Sequence, residues 1–142
     1  MAVSYTAVVD VDGEGRNGGR VRSADGLLET GLAIPKEFGG AGTATNPEQL
    51  LAAGWAACFL GALRLAAAAR GIRLTSTAIT AEVTLTHGDD GAFSLSAVLA
   101  PVLGGVDQAT AEELAEAAHG TCPYSRATRG NIPVTVSARA VA

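Results

Sequence analysis

Residues Asn46–Arg70, NPEQLLAAGWAACFLGALRLAAAAR, constrain this chain more than any other stretch. Asn46 suits an N-cap, Pro47 suits the first helical position, and Glu48 sets a carboxylate in the first turn, where unpaired amides favour negative charge. From Leu50 to Ala69 the only charged side chain is Arg64. The helix that this pattern predicts has no solvent face, so something must bury it. Near its middle lies Cys58, whose same-face neighbours at i−4 and i+3 are Gly54 and Gly61. The thiol therefore sits in a notch, which serves either close packing by another segment or entry of a small molecule that meets sulfur.

A bilayer span requires roughly 20 predominantly apolar residues. Eleven of the residues from Leu50 to Ala69 are Ala or Gly, which partition weakly, and Arg64 interrupts the run, so a membrane is not expected. The net charge of −4 gives no electrostatic reason to expect nucleic acid. The N-terminus MAVSYTAVVDVDGEG lacks a basic region followed by a long apolar run, so a cytoplasmic protein is expected. In that compartment two cysteines point to a redox pair rather than a structural disulfide, and zinc would want more ligands.

The 142 residues suit one domain, 1–142. Ser4–Asp12 alternates as a half-buried strand, and GEGRNGG reads as a turn. Arg20–Ser23 and Leu27–Ile34 form a hairpin around Ala24-Asp25-Gly26, followed by the Gly-rich loop PKEFGGAGTAT. Beyond the central helix, closed by Gly71, Thr75–Thr86 and Phe93–Leu99 pair across HGDDGA, with Phe93, Leu95, Ala97 and Leu99 inward. Thr110–Glu113 reads as a capping box for a second helix ending at His119-Gly120, and Pro133–Ala140 as a last strand. The class is α+β. One chain of this length cannot surround a helix of about 37 Å, so antiparallel sheets of two chains should wrap the long buried central helices in an intertwined homodimer.

Cys58 and Cys122 are separated by 63 residues, and that spacing says nothing about whether they meet. Cys122 precedes Pro123, so it can sit at the N-cap of the turn PYSRAT near Arg126 or Arg129, where a thiolate is favoured. Cys58 in apolar surroundings should have a raised pKa unless a cation reaches it, and a buried cation must itself be paired. Arg20 and Glu48 are candidates for that ion pair. On residue types alone Cys58 reads as a packing residue, Glu48 as a helix-dipole partner and Arg20 as a surface charge. His87 and His119 fall in a turn and at a helix end.

Two blocks, ATNPEQLLAAGWAACFLGAL and AAHGTCPYSRATRGNI, resemble the signature regions of the organic hydroperoxide resistance (Ohr) proteins of the OsmC/Ohr superfamily. GGRVRSADGLL and the FGG loop also fit, so the likeness spans nearly the whole chain. It implies an OsmC/Ohr-like fold and a thiol peroxidase that reduces organic hydroperoxides without metal, flavin or heme, as a homodimer with its sites at the interface. Carried over position by position, Cys58 matches the peroxidatic cysteine, Cys122 the resolving cysteine, Arg20 the active-site arginine and Glu48 its carboxylate. Recycling then uses dihydrolipoamide or a lipoylated protein. Phe38, Leu50, Trp55 and Phe59 are expected to form the apolar substrate wall. Trp55 stands where Tyr is common, and Gly120-Thr121 where bulkier residues are usual. A broader OsmC-like peroxidase, or a non-catalytic dimer that senses redox state or binds an apolar ligand, are the alternatives.

Overall fold

A computed structural model describes Met1–Ala142. The fold is α+β, built as two compact units, Met1–Leu50 and Leu51–Ala142. In the first, β1 (Val9–Asp12), β2 (Arg20–Ser23) and β3 (Glu29–Gly31) form an antiparallel sheet in that order. The strand expected over Ser4–Asp12 is shorter and exposed. Its partner β2 has only the four residues that face Val9–Asp12, and the chain turns away at Ala24, whose N–H donates to the Val8 carbonyl at 2.9 Å. Val3, Tyr5 and Val8 are consequently left exposed.

The central helix α1 (Pro47–Ala69) forms as its ends dictate. Asn46 Oδ1 accepts from the Gln49 N–H at 2.9 Å. At the other end Gly71, with φ +67°, lets the Ile72 and Gly71 amides reach the Ala67 and Ala68 carbonyls at 2.9 and 3.1 Å, a Schellman closure. Asn46→Ala should cost about 1 kcal/mol, read as a lower denaturation midpoint at unchanged m-value.

In Leu51–Ala142, β4 (Ser76–His87) and β5 (Phe93–Gly104) pair along their full length. The inward parity holds at Ala97 and Leu99 and fails at Phe93, which lies exposed at the hairpin end and stacks on its cross-strand neighbour His87, ring centroids 4.3 Å apart. The helix α2 (Gln108–Thr121) starts before the expected capping box. Asp107 Oδ1 accepts from the Thr110 N–H at 2.8 Å, so this carboxylate takes the N-cap and Thr110 becomes an interior donor. The helix runs through Gly120 and stops where Pro123 follows Cys122. A short helix α3 (Pro123–Thr128) comes next.

The single C-terminal strand expected over Pro133–Ala140 is two, β6 (Val134–Val136) and β7 (Arg139–Val141), both parallel to β5. The break at Ser137-Ala138 lies opposite Ala100-Pro101, and Pro101 has no N–H for a ladder. The core joins Trp55, Phe59, Leu63 and Ala67 of α1 to Leu99 and Leu103 of β5 and Leu114 of α2. Only this i+4 stripe of α1 is buried, although the helix is apolar elsewhere too. By length and composition α1 could cross a bilayer, but the stripe makes it the core helix of this unit.

Candidate active site

Cys58 and Cys122 meet. Pro123 ends α2 and begins α3, so Cys122 closes one helix and opens the next, and its side chain turns inward to complete burial. Its Sγ donates to Cys58 Sγ at 3.4 Å, and both thiols are free. The expected capping role of the Cys122 thiol is not used, and Arg129 Nη2 instead donates to the His119 carbonyl at 2.7 Å.

The glycine notch around Cys58 serves both purposes read from the sequence. A Cβ on Gly54 would lie 3.2 Å from Tyr124 Cε2, so this glycine admits the Tyr124 ring. A Cβ on Gly61 would meet nothing within 4 Å. Gly61 instead borders an apolar cleft of about 550 Å³ that reaches Cys58, with Leu65, Thr121 and Pro123 among its walls.

Trp55 and Phe59, expected in the substrate wall, are not among the lining of that cleft. Both are fully buried on the core stripe, and Trp55 Nε1 donates to Ser125 Oγ at 3.0 Å. They flank Cys58 by −3 and +1 along α1, which rotates them toward the sheet. Phe38 is exposed at the end of the 3₁₀ turn Lys36–Phe38, and Leu50 is half-buried.

Burial pushes the Cys58 thiol up, the adjacent Cys122 thiol pushes it further, and only the Tyr124 backbone N–H works the other way. His119 is held below its ordinary value by burial and by Arg129, and its buried Nδ1 has no partner. Nothing within Leu51–Ala142 supplies Cys58 with a cation.

A paired guanidinium exists in Met1–Leu50, but it is not Arg20. Arg16 Nη1 and Nη2 donate to the two carboxylate oxygens of Glu48 at 2.8 and 2.7 Å, a bidentate fork that holds the Glu48 carboxyl below its usual range. Arg20 instead donates to Glu29 at 3.3 Å on an exposed face, sharing it with Arg22 at 3.1 Å. The reason is strand alternation: Arg20 and Arg22 are two apart on β2, and Glu29 is in register with Arg22. Arg16 lies in the GEGRNGG turn, which closes so tightly that a Cβ on Gly19 would sit 2.2 Å from the Asp12 carbonyl oxygen. A lone arginine among glycines was the signal available in the sequence.

The site is thus two facing free thiols beside an apolar cleft on an α+β scaffold, and comparison with known proteins gives the family. The OsmC-like protein family matches residues 40–137. The organic hydroperoxide resistance protein of Xanthomonas axonopodis pv. citri is 43% identical over 137 residues, covering 95% of this chain and 94% of that protein. The crystal structure of an organic hydroperoxide resistance protein from Legionella pneumophila superposes with a TM-score of 0.90 at 43% identity, over 97% of this chain and 99% of that one. OhrB of Bacillus subtilis gives 0.85 at 40% identity, over 95% and 98%. The chain belongs to the OsmC/Ohr superfamily. Within it, the chain is an organic hydroperoxide resistance (Ohr) protein, with a role in organic hydroperoxide resistance.

Proposed function

We infer that the chain is a cysteine-based peroxidase that reduces organic hydroperoxides to alcohols. The observation that carries this reading is the Cys58–Cys122 sulfur pair at 3.4 Å beside an apolar cleft. Cys58 thiolate attacks the distal oxygen of ROOH; the O–O bond breaks, the alcohol leaves with a proton, and Cys58 becomes a sulfenic acid. Cys122 then displaces the sulfenic hydroxyl as water, forming a disulfide. A dihydrolipoyl dithiol, free or on a protein, reduces that disulfide and is itself oxidised to the cyclic disulfide. The apolar cleft favours organic tails over hydrogen peroxide, since each buried CH₂ contributes about 0.8 kcal/mol.

The cation that Cys58 lacks is assigned to Arg16, oriented by Glu48. In this reading the pair serves Cys58 of a neighbouring copy. Exposed small residues on α1, Ala53, Ala57 and Gly61, repeat every fourth position and continue to Leu65. A second α1 packed antiparallel on this stripe, crossing near Ala53, brings its Glu48 level with Cys58. The protein is therefore read as a homodimer whose cleft closes at the interface.

The test is a lipoamide-coupled assay comparing cumene hydroperoxide with hydrogen peroxide. Strong preference for the organic substrate supports the reading. Equal rates favour a broader OsmC-like peroxidase, and stoichiometric oxidation without turnover a redox sensor. In Cys122→Ser a single round of oxidation is expected, followed by stalled recycling and a Cys58 sulfinic acid seen by intact mass; sustained turnover would remove Cys122 from the resolving role.

A further inference from the structure

Two contacts join α1 to the segment around α3, and they run side by side. Trp55 Nε1 donates to Ser125 Oγ at 3.0 Å, and Cys122 Sγ faces Cys58 Sγ at 3.4 Å. Trp55 and Cys58 are three residues apart on α1, and Cys122 and Ser125 are three apart at the start of α3. Each pair thus lies about one helical turn apart on its own element, so the indole–hydroxyl bond and the sulfur pair are adjacent rungs between the same two segments.

The first rung is built to persist. Trp55 and Ser125 are fully buried, and Ser125 is the one buried polar side chain in the chain. Breaking their bond would strand a donor and an acceptor away from water. The second rung has a looser foundation: Cys122 itself has non-helical φ/ψ of −58° and 121°, a joint between α2 and α3 with no side-chain cap bond.

We propose that Trp55 is a positioning residue for disulfide closure, its hydrogen bond to Ser125 fixing α3 against α1 so that Cys122 stays within closing distance of Cys58. This rests on the reading of Cys58 as the oxidised sulfur and Cys122 as the resolving one. In the step served, an S–S bond forms, the S–O bond of the Cys58 sulfenic acid breaks, and the hydroxyl leaves with the Cys122 proton as water. The sulfurs must approach to about 2.05 Å. The competing step is attack by a second hydroperoxide, which releases another alcohol and leaves Cys58 as a sulfinic acid. The indole rung acts on the ratio of these two fates.

Trp55→Phe and Ser125→Ala test it, alone and combined. After a fixed dose of cumene hydroperoxide, the sulfinic-to-disulfide ratio read by intact mass should rise about threefold to tenfold in each, the range one buried hydrogen bond allows. The double variant should show no more than the larger single effect, because both remove the same bond. A purely structural contribution would lower the melting temperature and leave the ratio alone. A second measurement needs no peroxide: in a glutathione redox buffer, the Cys58–Cys122 disulfide equilibrium should fall by a similar factor. If the wild type turns over no hydroperoxide, the peroxidase reading fails while the glutathione equilibrium still decides this one. An unchanged value of either measure in folded Trp55→Phe, or additive effects in the double variant, overturns the proposal. Should Trp55→Phe not fold, Ser125→Ala decides by the same values.

Discussion

Serine in place of Cys58 lowers lipoamide-coupled consumption of cumene hydroperoxide to background, a drop of about 10⁴-fold or more, as expected when an enzyme loses its nucleophile. The substitution preserves size, so the Gly54–Tyr124 contact and the Trp55–Ser125 bond stay in place. What it removes is the sulfur that attacks as a thiolate and carries oxygen as a sulfenic acid. Cys122 cannot take over, because its sulfur is fully buried and meets the cleft only through Cys58. The emission of Trp55, the sole tryptophan, reports whether the variant is folded. A folded Cys58→Ser that retains a tenth of wild-type turnover would show that oxidation happens elsewhere. Cys122→Ser differs in kind, since it keeps the first turnover and loses the later ones.

What was legible in the sequence was what local chemistry decides. Asn46 and Gly71 bracket α1 because a cap and a left-handed residue act on the amides and carbonyls next to them. The β4–β5 hairpin followed from alternation and a polar turn. Features set by distant residues were not legible. The split of the last strand depends on Pro101, more than thirty residues earlier in the chain, and the exposure of Ser4–Val8 on how short β2 is. At α2, Asp107 outcompeted the capping box because it lies one turn earlier and is charged.

The site shows the same division. Spacing was silent on the Cys58–Cys122 encounter, which the chain achieves by folding α2 and α3 back on α1; the family resemblance paired them. Trp55 and Phe59, expected in the substrate wall for being apolar, belong to the i+4 run Trp55, Phe59, Leu63 and Ala67 that forms the buried stripe. The resemblance pointed to Arg20, which lies inside a strand, where alternation commits it to the face of Glu29. A turn arginine has no such commitment and is free to fork onto Glu48.

Arg16 and Arg20 therefore separate in one experiment. Arg16→Ala should lower kcat/KM for an organic hydroperoxide by about a hundredfold to a thousandfold, the size of a lost preorganised charge contact. Arg20→Ala should stay within about threefold, because exposed pairs contribute little. The pH profile identifies the cause. Burial and Cys122 hold the Cys58 thiol up, so without the guanidinium the thiolate fraction at neutral pH is small and grows with pH. The Arg16→Ala deficit should narrow as pH rises, whereas a packing defect would not respond. At the acid end the fork is robust: the Glu48 carboxyl is depressed below its ordinary 4.5, so the pair is intact at neutral pH and is lost only as pH falls through that lowered value. Co-expression of Cys58→Ser with Arg16→Ala then asks which copy supplies the charge. If the Arg16–Glu48 fork serves the neighbouring chain, each mixed dimer contains one site with both wild-type groups, and activity appears that neither variant has alone. If the fork serves its own chain, every site in the mixed dimer lacks one group and the mixture stays at the Arg16→Ala level.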